Sequence, residues 1–292
     1  MNKVACVIGG SGFLGSHVAD RLSNAGYKVR IFDRELSPWL SDNQEMVIGD
    51  ITNQDDVNYA IQGSEVVYNF AALSDLNEGL DKPIETIEVN ILGNALAMNA
   101  CLRHKVKRFV YASTVYVHSR EGGFYRCSKQ ASENYVEEFS KVFGLNYTIL
   151  RYGSLYGPRS DEKNGLYRII KGALESGIVR YEGSSEALRE YIHVIDAAEA
   201  SVAALQENFL NESIVLTGQE PMRVSDLLEM VAEILGDGSE VEFKHANYSG
   251  HYVRTPYAYM PKPGRKYISP MHVDLGQGII QLIAEIDKST KN

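Results

Sequence analysis

The chain begins with an almost unbroken apolar run over residues 3–8, Lys3-Val-Ala-Cys-Val-Ile8. A run without polar alternation suits a strand buried on both faces, as in a parallel sheet. Glycines follow, then helical spacing over 16–22 and a second apolar, β-rich run at 28–32. The same alternation predicts strands at 45–48 and 65–70, with helices after Thr52 and over 83–104. A strand from Arg108 ends in Ser113 and Thr114, a helix runs from Tyr125 to Phe143, and a strand covers 147–151. Alternating strands and helices predict an α/β fold with a Rossmann-like, doubly wound parallel sheet.

From Gly165 the pattern changes, with turn signals at Gly172, Gly177 and Gly183. Residues 191–195 and a helix over 196–205 read as a return to the main sheet, and 214–216 adds a last strand. Val224 to Leu235 has the spacing of an amphipathic helix. An aromatic and proline-rich segment, 245–270, carries Tyr248, Tyr252, Tyr257, Tyr259 and Tyr267, residues that either stack on a base or pack a small lid. Asp274 reads as the cap of a closing helix. The expected division is a Rossmann domain over 1–163, with 188–217 returning to it. A smaller mixed α/β substrate region is expected over 164–187 and 218–292.

The glycines after the first strand stand at 9, 12 and 15 and lead directly into the first helix. Gly9 allows a tight turn, Gly12 lets backbone approach a pyrophosphate, and Gly15 lets the helix pack closely. The second strand ends in Asp33, 18 residues past Gly15, where an acid accepts hydrogen bonds from an adenosine ribose. Strand, glycines, helix, strand and acid together predict dinucleotide binding. Asp33 repels a 2′-phosphate and favours NAD over NADP, although Arg34 beside it is able to grip such a phosphate. Asp50 and Ile51 stand where they would bond and cover an adenine. Asp50 is equally placed to cap the next helix, a role that could also fall to Thr52. The small residues Ala71 and Ala72, after Phe70, mark a place where a cofactor passes closely.

A net charge of −9 argues against a nucleic-acid surface or a basic membrane patch. No apolar run reaches membrane-spanning length, and the start leaves no room for a leader, so a soluble cytoplasmic protein is expected. Cys6, Cys101 and Cys127 stand far apart, without metal or disulfide spacing. The helices over 83–104 and 125–143 carry apolar faces wider than one sheet needs, which points to a homodimer formed through them.

The chemistry gathers between Phe109 and Lys129. Tyr125 and Lys129 are four residues apart, so on a helix they share a face. A free Tyr titrates near ~10, and a cation held beside it favours the phenolate. A hydroxyl at the preceding strand end then shares a substrate oxygen with the phenol. With 18 tyrosines in the chain such pairs also arise by chance, and Tyr167/Lys171 is read as a solvated helix face.

These motifs resemble the extended short-chain dehydrogenase/reductase family, particularly its nucleotide-sugar epimerases. The resemblance runs through Gly9-x-x-Gly12-Phe13-Leu14-Gly15, Asp33, Asp50-Ile51, Phe70-Ala71-Ala72, Asn90-x-x-Gly93, Ser113-Thr114 and Tyr125-x-x-x-Lys129. It continues through 151–159 and 189–194. It implies Thr114 as the catalytic hydroxyl, Tyr125 as acid/base, and Lys129 as the nicotinamide-ribose ligand that lowers the Tyr125 pKa. It further implies that Phe13, Leu14, Phe70, Asn90 and Ser113 line the cofactor, with Tyr152 and Ser154 at its nicotinamide end. Thr114, Ser154 and Arg189 would meet a nucleotide-diphosphate sugar, Arg189 at its pyrophosphate, the other use of that side chain being an ion pair with Glu190 or Glu186. Arg254 is a candidate second phosphate arginine without the usual surrounding motif.

Four departures bear on function. Asn69 stands where the family usually has His, and Ser154 where it usually has Asn. The segment between Thr114 and Tyr125 is about a dozen residues shorter than is typical. It opens the site or leaves its closure to other parts, and His118 in it either serves a surface or packing role or reaches the reaction centre. Val115 and Tyr116 replace the acids that family dehydratases place after the Thr, and family decarboxylases keep an acid at the second position. The expected activity is an NAD-dependent epimerisation at C4 through a 4-keto sugar. The alternative is a nucleotide-sugar 4-dehydrogenase or 4-keto-sugar reductase.

Overall fold

The computed structural model describes residues 3–218, 220–236 and 240–244. Strand β1 (Val4–Ile8) leads to helix α1 (Phe13–Asn24), strands β2 (Lys28–Asp33) and β3 (Gln44–Ile48), helix α2 (Gln54–Ile61) and strand β4 (Val66–Asn69). Next come α3 (Leu76–Asp81), α4 (Pro83–Ile87), a π-helical turn (Glu88–Leu92), α5 (Gly93–Arg103) and β5 (Arg108–Thr114). A 3₁₀ turn (Val115–His118) connects β5 to α6 (Gly123–Phe143), followed by β6 (Tyr147–Tyr152) and the short β7 (Ser154–Tyr156). Then come α7 (Gly165–Ser176), β8 (Ile178–Glu182), β9 (Leu188–Arg189), β10 (Tyr191–His193) and α8 (Val194–Ala203). The last are β11 (Glu212–Leu216), β12 (Met222–Arg223), α9 (Val224–Leu235) and β13 (Glu240–Lys244).

Seven strands form one parallel sheet in the order β3-β2-β1-β4-β5-β6-β11. The order reverses between β1 and β4, and their carboxyl ends open the crevice where such sheets bind ligands. Apolar side chains cover both faces, which explains the unbroken runs. Ala5 and Val7 of β1 join α1 and α8 in one layer, whereas Cys6 and Ile8 join α2 and α5 in the other. All seven residues of β5 are buried, so the strand carrying Ser113 and Thr114 is held firmly in the middle of the sheet. A third, smaller cluster joins Ala173, Val179, Leu228 and Val231 of α7, β8 and α9.

Three expected elements differ. The stretch 83–104 is interrupted by the π turn, in which the buried Asn90 reaches across to the loop after β4. Helix α6 starts at Gly123, ahead of Tyr125, because Gly122 turns the chain with φ +97°. Residues 191–195 do not rejoin the main sheet. Tyr191–His193 pairs with β7 in a separate two-stranded ladder, and His193 Nδ1 accepts from Ile195 N at 3.3 Å to start α8. Expectations for Arg254, Asp274 and the tyrosines from Tyr248 onward lie outside the described residues.

Candidate active site

The chain leaves β1 at Gly9 with φ +77°, a conformation natural to a residue without Cβ. A Cβ there would lie 2.6 Å from Ala71 N, so the loop after β4 passes directly against the turn. At Gly15 a Cβ would fall 2.2 Å from the Gly9 carbonyl oxygen, so α1 packs at contact distance. Gly12 begins α1 without any side-chain cap. The first-turn N–H groups at Phe13, Leu14 and Gly15 therefore lie at an uncapped helix end, which favours a phosphate.

Asp33 closes β2 beside this turn. One carboxylate oxygen accepts from Ser11 N at 3.0 Å and the other from Arg34 N at 2.7 Å, while the Arg34 side chain is exposed. Asp50 accepts from Thr52 N at 2.8 Å and Thr52 Oγ1 at 2.7 Å. Mainly that N–H, helped by the hydroxyl and by the Arg34 cation, holds its carboxyl below the usual range. Neither Asp50 nor Thr52 caps α2. Asn53 does, accepting from Asp55 N at 2.9 Å and Asp56 N at 3.3 Å, because the Asp50 turn ends before the helix begins. Ile51 is buried against Gly93.

Beyond β4, the Phe70 ring stacks on Tyr68, and Ala71 and Ala72 remain partly exposed. Asn69 accepts from Ala71 N at 3.1 Å and donates to Asn94, fixing the loop's exit. Asn90 bonds both main-chain polar groups of Leu73 and donates to Ser128 Oγ at 2.9 Å. Its side chain thus ties this loop to α6 from a buried position.

Thr114, Tyr125, Ser154 and Arg189 line one cleft of about 660 Å³. The Thr114 hydroxyl oxygen accepts from Tyr116 N at 3.3 Å. Tyr125 is half-buried; burial pushes its phenol up to about 12, and the neighbouring Thr114 hydroxyl works against that rise. Lys129 lies one turn further along α6, buried, donating to the Ala112 carbonyl oxygen at 2.7 Å. Burial pushes its ammonium down to about 7, and Glu133 opposes that fall. The Lys129 ammonium therefore does not produce the expected depression of Tyr125: it faces a carbonyl and lies over the ring, 5.7 Å from its centre.

Two residues expected at the cofactor point elsewhere. The Ser113 hydroxyl donates to Glu133 at 2.5 Å, on the opposite side of β5 from Thr114. The Tyr152 phenol is in the core, 2.6 Å from Ser201 Oγ, and the residue fronts the cleft only alongside Gly153 and Ser154. His118 is absent from the cleft lining, and burial followed by the Arg151 cation lowers its pKa. Lys171 of the second Tyr/Lys pair is ion-paired with Glu162 on the exposed side of α7.

The sequence reading missed several cleft residues. Arg168 and Arg180 line it, the first 3.8 Å from Asp75 and the second 2.6 Å from Glu242. Tyr116 also lines it, packed so closely on Gly122 that a Cβ there would lie 2.6 Å from the ring. Glu133 was legible only as a residue four positions after Lys129, on the same helical face. Among the described residues no cluster of His, Cys, Asp and Glu could hold a metal ion.

Comparison with known proteins brings these features together. The model of the NAD dependent epimerase/dehydratase family matches residues 5–216. The UDP-N-acetyl-alpha-D-glucosaminuronate decarboxylase of Bacillus cytotoxicus is 26% identical, covering 91% of this chain and 89% of that protein. The putative UDP-glucose 4-epimerase of Methanocaldococcus jannaschii is 27% identical over 79% of this chain and 82% of its own length. The structure of Thermotoga maritima UDP-glucose 4-epimerase with UDP-glucose superposes with a TM-score of 0.81 at 26% identity, over 88% of this chain and 90% of that one. That of the Thermus thermophilus UDP-glucose 4-epimerase complex with NAD gives 0.76 at 26% identity, over 87% and 89%. With the glycine turn, Asp33 and Thr114 at strand ends of one parallel sheet and Tyr125 on α6 at the same cleft as Thr114, the chain belongs to the NAD dependent epimerase/dehydratase family.

Proposed function

We propose that this protein is an NAD-dependent nucleotide-sugar epimerase acting at C4 of a UDP-sugar. The observation that carries the reading is that Thr114 and Tyr125 line one cleft, with the Thr114 hydroxyl near enough to favour the phenolate. Two hydroxyls on the wall of one cleft are able to receive a sugar hydroxyl between them. In this reading Tyr125 takes the C4 hydroxyl proton, Thr114 holds the oxygen, and Tyr125 later returns the proton. Arg189 meets the pyrophosphate, with Ser154 near the sugar.

The residues present fit a dinucleotide: Gly12 leaves the end of α1 uncapped, and the Asp33 carboxylate stands beside it. Phe13, Leu14 and Gly15 would hold the pyrophosphate through their N–H groups, Asp33 the adenosine ribose, and Asp50 and Ile51 the adenine. Lys129 would hold the nicotinamide ribose. Bound NAD supplies hydride acceptance and return at C4. Conversion of UDP-glucose to UDP-galactose, lost in Tyr125→Phe, tests the proposal; unchanged turnover in that variant would overturn the assignment.

A second reading, a nucleotide-sugar 4-dehydrogenase or 4-keto-sugar reductase, is favoured by the short connection between Thr114 and Tyr125. It consists of one 3₁₀ turn and a tight bend, which gives little wall to contain a keto intermediate. Dinucleotide released on denaturing the purified protein separates the two. Near-stoichiometric NAD favours epimerisation, and empty sites with turnover only on added cofactor favour net redox chemistry. Loss of carbon dioxide is disfavoured, since Tyr116 and not an acid lines the cleft after Thr114.

Residues 1–163 and 188–217 are assigned to the cofactor, and 164–187 with 218–292 to the substrate. The separate α7–β8–α9 cluster supports this division. A homodimer through 83–104 and 125–143 is supported by the exposed Ile84, Ile87, Val142 and Phe143. Among the described residues no helix is long and apolar enough to cross a membrane. The three free cysteines suit a reducing, cytoplasmic compartment.

A further inference from the structure

Glu133 is buried on α6, one turn beyond Lys129, and two side chains converge on its carboxylate. Arg151 of β6 binds it in a fork, Nε to one oxygen at 3.0 Å and Nη2 to the other at 2.7 Å. Ser113 of β5 donates to it at 2.5 Å. Ser113 and Thr114 are consecutive in a strand, so anchoring one on the rear face sets where the other projects on the cleft face. Lys129 meanwhile donates to a neutral carbonyl and is stacked over two tyrosine rings, 4.8 Å from the centre of Tyr111 and 5.7 Å from that of Tyr125.

We propose that Glu133 is a positioning residue for this site: clamped by Arg151, it fixes the end of β5 through Ser113 and places a carboxylate one turn along α6 from the buried Lys129. The inference rests on the proposed reaction only for what Thr114 and Lys129 do in it. A buried ion pair adds little net stability against an apolar replacement, so its value here lies in placement.

The groups facing Glu133 come from each neighbouring element. β5 contributes Ser113 and Tyr111, β6 contributes Arg151 and Tyr147, the 3₁₀ turn contributes His118, and α6 itself contributes Lys129. Glu137, further along α6, acts on Arg151 and Tyr147. Burial pushes Lys129 down and Glu133 is the charge that opposes it, so removing that charge lowers Lys129 further.

The test uses the full chain with ¹³C-labelled lysine, the Lys129 signal being assigned by its loss in Lys129→Arg. Titration is followed in wild type, Glu133→Gln, Glu133→Asp and the double variant Glu133→Gln/Arg151→Met. Gln keeps an acceptor for Ser113, so it isolates the charge. The double variant avoids leaving a buried Arg unpaired if the single one folds poorly.

The expected result is a Lys129 midpoint lowered by about one pH unit or more in Glu133→Gln, lowered by less in the double variant because the Arg151 cation leaves with the anion, and largely restored in Glu133→Asp. In turnover, the alkaline limb of the kcat profile moves down with that midpoint while KM changes less than about threefold. A midpoint that stays put in both Gln variants overturns the inference. A shifted midpoint in a protein that turns over no nucleotide sugar supports the inference and sinks the proposed reaction instead, so the two failures are separable.

Discussion

The Lys129 ammonium lies over the Tyr125 ring, 5.7 Å from its centre, and spends a hydrogen bond of 2.7 Å on the Ala112 carbonyl oxygen. The two groups are adjacent, and burial moves them in opposite directions: Tyr125 up to about 12 and Lys129 down to about 7. The neighbouring Thr114 hydroxyl works against the rise at the phenol.

Removing the Tyr125 hydroxyl should therefore abolish proton transfer with little effect on folding. Tyr125→Phe is expected to lower kcat by about 10²–10⁴-fold and to shift the urea midpoint little. Steady-state kinetics and a denaturation curve on the same preparation check this. A variant that unfolds, or one that retains wild-type kcat, contradicts the assigned role.

Lys129 makes the stability depend on pH in a defined direction. Its pKa is lowered in the fold from 10.5 to about 7, so between those values the unfolded chain binds a proton that the native one does not. Stability from this group therefore rises with pH across that window, and the charge penalty is fully present below 7. Lys129→Met should be more stable than wild type by about 2–4 kcal/mol at pH 6, an advantage shrinking as pH approaches 10. Urea melts of both proteins at several pH values read the difference. A constant gap would mean that the lysine does not titrate in this window.

The glycine turn leaves no space for a methyl group at residue 15. A Cβ 2.2 Å from the Gly9 carbonyl oxygen forces α1 off β1, so Gly15→Ala is expected to cost about 1–3 kcal/mol. It should also reduce the dinucleotide retained through purification. Urea unfolding and the cofactor content of the denatured protein measure the two effects, and unchanged values for both would reject the turn as the cofactor's cradle.

Ile84 and Phe143 are 65% and 61% exposed, although both are large and apolar. If a second copy covers them, Ile84→Glu combined with Phe143→Glu should convert a dimer into a monomer in sedimentation velocity. A wild-type protein that sediments as a monomer at micromolar concentration defeats the proposal.

Much of the sheet was legible because parallel strands covered on both faces leave continuous apolar runs. The segments at 3–8 and 28–32 needed only small boundary changes to become β1 and β2. The π turn at Glu88–Leu92 was not legible, since apolar spacing continues through it and only the reach of Asn90 to Leu73 reveals the wider turn. Tyr191 to Ile195 read as a main-sheet strand because apolar content does not name a partner. His193 ends that strand by capping α8.

Local sequence determined the βαβ beginning, the glycine turn, the acid closing β2 and the single helical turn between Tyr125 and Lys129. Each depends on backbone sterics or on spacing within one element. Tertiary structure alone decided which way the two hydroxyls of Ser113 and Thr114 are used. It also decided that Tyr152 serves the core and that Arg168 and Arg180 reach the cleft from α7 and β8. Those outcomes depend on pairings between residues far apart in the chain, and on burial, which shifts Tyr125 and Lys129 in directions no spacing rule contains.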